Sequence, residues 1–379
     1  MVTLQTYLLY TLLFTTMLFL AKRASDKGEW FWMVLAILIY SIVFGMRYGV
    51  GVDHIGYLED YQRLSFALDS QYDDTEAGFR FIRDTLARGG VHFAVYFGLI
   101  AFLQLFLVFK AVKKDKFIYP YLVISFFLGC IWLSYANGIR QVLSFAFFAY
   151  SLSFIENKKQ LPIHYLLLLL ALSMHNSAAL LFIMAPMLLL KSEWFSNIKL
   201  QYILLVVALV VGRFPQMEAW LMSLEGDYGM LDEYMKETGY DGYFEYEDGA
   251  GVFRSAGTTG IGYCVELLRN IIIIWFSNAV KQYNSRSKVV QYMYNFTYIG
   301  ILLHYAFIAS PVISRINYYF YGFAYIFGAY TLHYLYNNNK KAFYIMLGLY
   351  VLAFIGIMYR MYDNTAAFYF FWQSDLYGK

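Results

Sequence analysis

Charge is what this sequence has least of. Asp, Glu, Lys and Arg make up 15% of the 379 residues, where a soluble domain carries about 25%. Proline occurs five times and cysteine twice, too few for a disulfide scaffold. Cys130 and Cys264 both fall inside apolar runs, where they read as small buried hydrophobes. No basic tract accompanies the net charge of +3, so nucleic acid is not expected as a partner. The chain has no phosphate-binding glycine loop with its lysine, no serine-nucleophile motif and no metal-ligand spacing; neither a metal nor a cofactor is expected. Period-two alternation is missing as well, which argues against a β-barrel.

Apolar side chains fill the space that charge leaves. The chain is 60% hydrophobic and 21% aromatic, with a mean hydropathy of +0.49. Long apolar runs recur from one end to the other, the pattern of an all-α, polytopic membrane protein. A helix needs roughly 20 residues to cross a bilayer. Spans are predicted near 4–21, 30–46, 91–112, 117–135, 138–155, 161–174, 177–190, 200–213, 261–279, 290–309, 316–336 and 342–360, about twelve in a single transmembrane domain over 1–379. The first has no basic residue before it and no small-residue cleavage site after it, and reads as a retained helix.

The connections then alternate in character. One set holds Lys22, Arg23 and Lys27; Lys113, Lys114 and Lys116; Lys158 and Lys159; Lys191 and Lys199; Lys281, Arg286 and Lys288; and Lys340 and Lys341. By the positive-inside rule this set is cytoplasmic, and both termini lie outside. The opposite set contains two long extracytoplasmic loops. Residues 47–90 mix aromatics, Arg and acids in a pattern suited to interfacial amphipathic helices. Residues 214–260 form a lid-like segment rich in Gly, Tyr and acids, a composition that suits sugar stacking and hydroxyl recognition as well as a solvated loop.

One stretch tests the parity. Leu161 to Leu190 is short for two crossings and long for one. A single crossing would turn the Lys281–Lys288 and Lys340–Lys341 clusters outward, against the charge rule. Two helices of about 15 residues, each reaching about 22 Å, preserve it. Their tip, Met174-His175-Asn176-Ser177, is then recessed, and a polar turn at that depth belongs inside protein or against a wet cavity.

The same parity gathers Arg47, Asp53, Arg140, His175 and Arg315 on one face. Arg47-Tyr48-Gly49-Val50-Gly51-Val52-Asp53, followed by Tyr57, sets a cation and a carboxylate at the end of the second span, with glycines for a tight turn. A snorkelling Arg and a helix-capping Asp are the purely structural alternative. Glu76-Ala77-Gly78-Phe79 adds a second carboxylate. Asn137-Gly138-Ile139-Arg140-Gln141 puts a guanidinium near a helix start, a combination that suits phosphate oxygens. His175, with Asn176 and Ser177, offers an acid, base or phosphate donor. Ser314-Arg315-Ile316-Asn317-Tyr318-Tyr319 follows Pro311. Glu266 and Arg269, at i and i+3 on the ninth span, read as a structural ion pair or a substrate contact, and His304 in the tenth span as core.

Taken in order, the Arg47–Asp53 run with Tyr57, Glu76–Phe79, Asn137–Gln141, Met174-His175-Asn176-Ser177-Ala178 and Arg315–Tyr319 resemble the EpsG family, Wzy-like polymerases of bacterial exopolysaccharide and capsule. The resemblance implies an integral-membrane glycosyltransferase of GT-C-like architecture in the bacterial cytoplasmic membrane, its site facing outward. It would join undecaprenyl-pyrophosphate-linked repeat units, donor and acceptor both lipid-linked, with a flippase and a chain-length regulator as partners. It implies a clamp of Arg47, Arg140 and Arg315 on the departing pyrophosphate, with Gln141, Tyr57, Asn176 and Arg269 as further substrate contacts. Asp53 is the first choice of base, with Glu76 and His175 as the other candidates, and single displacement with inversion is the default. A glycan ligase, a flippase and a structural partner of a secretion machine are the competing classes.

Overall fold

The computed structural model describes residues 2–70, 75–213, 260–285, 287–308, 311–361 and 365–376. The predicted lid at 214–260 lies, but for its last residue, outside the described residues. All twelve apolar stretches are helical. With the loop helices α3 (His54–Ser65) and α4 (Ala77–Arg88) between the second and third stretches, the order begins α1 (Val2–Lys27), α2 (Trp30–Gly45), α5 (Phe93–Ala111), α6 (Tyr119–Leu128), α7 (Ile131–Asn137) and α8 (Ile139–Ser151). After these come α9 (Leu161–Met174), α10 (Ala179–Leu190), α11 (Ile198–Val211), α12 (Ile261–Tyr283), α13 (Val289–Ala306), α14 (Pro311–Tyr321), α15 (Phe323–Asn338) and α16 (Lys340–Met361). The chain is an all-α membrane protein. By length and composition four described helices suffice to cross a bilayer: α1, α5, α12 and α16. A fifth span arises if the bent pair formed by Lys113–Leu128 and Ile131–Asn137 is taken as one.

Three predicted elements differ from their expectation. The run at 117–135 is not one straight helix: it bends by 70° between α6 and α7. Cys130 stands at the bend with φ of 53°, a left-handed conformation that ends one helix before the next begins. The run at 316–336 is two helices, α14 and α15, parted at Gly322. Cys264, expected to be buried, is exposed on α12. The run at 161–190, by contrast, is the two short helices that parity requires, broken at an extended His175.

The described residues group into two compact units, Met1–Ser192 with Gly328–Lys379, and Glu193–Phe327. In the first, α1, α2, α5, α8 and α9 pack in succession. Gly45 of α2 lies so close to α5 that an added Cβ would stand 3.1 Å from the Gly98 Cα. Small residues at such a crossing are how apolar helices gain packing without a hydrophobic drive. In the second unit α13 packs on α11, α12 and α14. Gly300 of α13 faces the Phe320–Tyr321 backbone, and Asn317 donates to the Gly300 carbonyl at 3.1 Å.

A tail strap completes the first unit. Residues Tyr369–Phe370 (β2) pair antiparallel with Arg47–Tyr48 (β1), Arg47 opposite Phe370 and Tyr48 opposite Tyr369. The Phe371 amide donates to the Met46 carbonyl at 3.0 Å and the Gly51 amide to the Thr365 carbonyl at 3.1 Å. Tyr10 on α1 donates to the Ala366 carbonyl at 2.8 Å, while Gln5 and Gln373 exchange amide bonds at 2.8 and 3.0 Å. The strap thus ties the first helix to the loop that follows α2.

Candidate functional site

The loop helices α3 and α4 form a hairpin locked by a buried ion pair. Arg83 Nη1 lies 2.6 Å from Asp60 Oδ2, both side chains nearly inaccessible, and Ser70 donates to the other Asp60 oxygen at 2.9 Å. Arg83 Nε also bonds Asp84 at 2.8 Å. Removing one partner of such a pair leaves an uncompensated buried charge, so the pair ties α3 to α4. The hairpin presents Tyr57 on α3 and Glu76 at the start of α4.

The first and second motifs interlock. Gly49 and Gly51 have φ of 71° and 90°, and a Cβ on Gly51 would stand 3.1 Å from both the Ala136 oxygen and the Asn137 Cα. Only glycine fits there. Asn137 Oδ1 accepts the Asp53 amide at 2.9 Å. The bend before α7 is what aims Ala136 and Asn137 at this loop. Asp53 opens α3 one turn before Tyr57, its carboxylate not used to cap the helix.

Arg47 stands apart from the other candidate cations. It is 2% exposed, donates to the Phe44 carbonyl at 2.7 Å and the Ala136 carbonyl at 3.1 Å, and lies 4.9 Å from the Phe97 ring centre. Those bonds brace the loop rather than meet a ligand. His54 is buried beside it with its ring 4.6 Å from Phe97. Burial, then the Arg47 charge, holds His54 well below the usual histidine range.

Glu76 is the centre of the site. Its side chain is 7% exposed; Oε2 lies 2.6 Å from Arg140 Nη1, and Oε1 accepts the Asn176 amide at 3.0 Å. The Tyr57 hydroxyl accepts from Arg140 Nε at 3.4 Å. His175 Nδ1 stands 4.0 Å from Glu76 Oε1. Three stretches distant in sequence therefore converge on one carboxylate. Gly78 makes this possible. A Cβ there would meet Ser173 Oγ, and would stand 2.8 Å from Ser173 Cβ and Met174 Cε, so α4 rests directly on the end of α9. Phe79 beside it is buried near Tyr57 and Tyr96.

His175 caps the short turn Asn176–Ala178. Its Nδ1 accepts the Ser177 amide at 3.3 Å and stands 2.8 Å from Ser177 Oγ. An amide N–H can only donate, so the neutral ring carries its proton on Nε2. In that form the ring donates through Nε2. Arg140 is 23% exposed, Gln141 beside it half-buried and Asn176 exposed.

The second unit holds Arg315 half-buried on α14, and a further polar cluster. Glu266 and Arg269 are 3.9 Å apart, and His304 Nε2 is 3.4 Å from the other Glu266 oxygen. Tyr321 donates to Glu266 at 2.6 Å and stacks on the His304 ring at 4.9 Å, 1° from parallel. His304, expected in the core, therefore belongs to a charged group, and Tyr321 was not foreseen. The signal was present: an acid inside an apolar helix needs partners, and His304 is one of only six histidines. Among the described residues no three His, Cys, Asp or Glu gather as metal ligands.

An all-helical membrane protein whose loop carboxylate is met by a guanidinium and an imidazole is equipped to hold an anion and direct a proton. The chain belongs to the EpsG family, whose model matches residues 30–374. Members of that family are Wzy-like polymerases, and the membership supports an exopolysaccharide-related polymerase role. No curated protein and no solved structure matches the chain significantly.

Proposed function

We propose that this chain polymerises undecaprenyl-pyrophosphate-linked oligosaccharide repeats at the outer face of a bacterial cytoplasmic membrane, with twelve crossings and the lysine-rich connections inside. The observation that carries the reading is the convergence of Arg140, Glu76 and His175 from three motifs of the family pattern. The acceptor hydroxyl oxygen attacks C1 of the growing chain. The C1–O bond to pyrophosphate breaks, its electron pair leaves with the diphosphate, and the hydroxyl proton passes to a base.

The partners of each group divide the work. Both Glu76 oxygens are engaged, by Arg140 and by the Asn176 amide, so Glu76 orients the guanidinium. Arg140 and the His175 Nε2 proton face the developing negative charge. Asp53, the carboxylate of the first loop motif, is the base, a turn ahead of Tyr57 on α3. Gln141 and Asn176 are further contacts for the sugar or phosphate. Arg47 enters as a brace, and Arg315 as an additional substrate cation supported by its motif alone. Displacement is single and inverting.

The test is polymerisation by purified protein supplied with lipid-linked repeats, with and without chelator. Polymer is expected in both arms, and Asp53→Asn abolishes it without loss of folded protein. A chain that moves repeats across vesicles yet builds no polymer is a flippase, the reading favoured by the charged Glu266–Arg269–His304 group within apolar helices. Absence of both activities removes the proposal.

A further inference from the structure

Polymerisation of this kind brings together two diphosphates with different fates. One departs when C1 is attacked; the other stays on the incoming repeat. The first calls for charge neutralisation at the reacting centre, the second for retention without activation. The Arg140 site answers the first need. Resting on the polymerase reading above, we infer that the Glu266–Arg269–His304–Tyr321 cluster of the second unit is a separate binding site for a saccharide-linked diphosphate, that of the incoming repeat.

The cluster is built rather than incidental. Asn270, fully buried, donates to the Tyr321 hydroxyl at 2.8 Å and to the Tyr305 hydroxyl at 3.0 Å. The Tyr321 proton is thereby directed to Glu266. Asn270 Oδ1 has no partner among the described residues, the condition of a polar group that water or a ligand completes. The carboxylate is thus met by the Tyr321 phenol at 2.6 Å and the His304 imidazole at 3.4 Å, while Arg269 lies at 3.9 Å with 13% of its side chain accessible. Arg213, exposed, lies 4.9 Å over the ring of Tyr263, and Tyr263 packs edge-on against Tyr305 at 5.6 Å. Two guanidinium groups and an imidazole match diphosphate oxygens. Glu266 and the phenols match saccharide hydroxyls. Charge of this kind inside apolar helices is kept for a task.

Native mass spectrometry of the full chain in detergent, with a short-chain prenyl diphosphate as probe, counts the sites. Two bound per chain are expected in the parent, one in Arg269→Gln, one in Arg140→Ala and none in the double variant. Inorganic pyrophosphate displacing the probe assigns recognition to the diphosphate; displacement only by the free oligosaccharide overturns that assignment. With preformed lipid-linked polymer as fixed donor, Arg269→Gln raises KM for the repeat about tenfold to a hundredfold, more than it lowers kcat. Should Arg269→Gln fail to fold, the exposed Arg213→Gln reads the same occupancy. Parent protein that binds one probe yet makes polymer overturns this inference alone; two probes without polymer overturns the polymerase reading alone. Undiminished occupancy and KM in both arginine variants also overturns the inference.

Discussion

Two clusters in this molecule are made of the same residue types and are arranged in opposite ways. In the first unit Glu76 meets Arg140 at 2.6 Å and His175 at 4.0 Å, with Tyr57 on the guanidinium. In the second Glu266 meets Arg269 at 3.9 Å and His304 at 3.4 Å, with Tyr321 on the carboxylate. Glu76 is 7% exposed and Glu266 28%. A tight, buried pair fixes the direction of its guanidinium, which is what a charge developing in a transition state requires. A pair held at 3.9 Å commits its guanidinium less tightly to that carboxylate. Residue identity does not separate the two roles; the distance between guanidinium and carboxylate does.

The sharpest way to break the comparison is to remove the guanidinium from each cluster. Arg140→Ala takes the direct partner from a buried carboxylate and the cation from the departing diphosphate. Polymer formation should fall about a hundred- to a thousandfold in kcat, with single lipid-linked repeats accumulating on a gel. An equal fall in kcat for Arg269→Gln would erase the distinction. Next in size is Gly78→Ala. The new methyl must displace Ser173 and Met174, lifting α4 from α9 and Glu76 from the Asn176 amide. Overpacking of this kind costs about 1–3 kcal/mol. A lower melting temperature and weaker polymerisation are expected, while probe binding at the second cluster persists.

How much of this was legible in the sequence follows from the range of each signal. Helix positions came from local hydropathy, and all twelve apolar stretches are helical because an apolar segment in lipid must satisfy its own backbone. The break at His175 was forced by charge parity. Asp53, Glu76, Arg140 and His175 stood out because polar residues are rare here, yet nothing local said that Arg140 grips Glu76. That pairing depends on Gly78, which reads as an ordinary helix residue until α9 is known to lie against it. The surroundings of Arg47 were illegible for a related reason. Its role is set by carbonyls of Phe44 and Ala136, and carbonyls leave no mark in a sequence. The tail strap was illegible altogether: its partners lie more than 300 residues away, at Gln5, Tyr10 and Met46.

That strap sharpens the contrast, because its described hydrogen bonds fall within the first unit. Tyr10→Phe deletes a buried hydrogen bond to the Ala366 carbonyl and costs about 0.5–1.5 kcal/mol. Thermal unfolding should report that loss. Hydrogen exchange should rise at Gly51 and Phe371, whose amides bond across the strap, and stay level across α12 and α13. Faster exchange in both units alike would mean that the strap steadies more than the loop it ties.

The smallest effect concerns His54, which differs from His304 in having no ion pair with an acid among the described residues. His54 is buried, and neither ring nitrogen has a hydrogen-bond partner among the described residues. Its pKa is held well below the ordinary 6.5, by burial first and the Arg47 charge second. The folded chain therefore refuses a proton that the unfolded chain accepts once the pH drops below that value. Stability contributed by this group is level above the unfolded pKa and falls as the pH goes lower, by up to about 1.4 kcal/mol per unit. His54→Phe keeps a ring against Phe97, 4.6 Å away, and removes the titration. Near pH 7.5 the variant should match or slightly exceed the parent in melting temperature, since unpartnered buried nitrogens contribute nothing favourable. Below pH 6.5 its melting temperature should fall less steeply than the parent's. Identical slopes would mean that His54 takes up its proton in the folded state, and that the ground under Asp53 is wetter than the packing of Arg47, His54 and Phe97 implies.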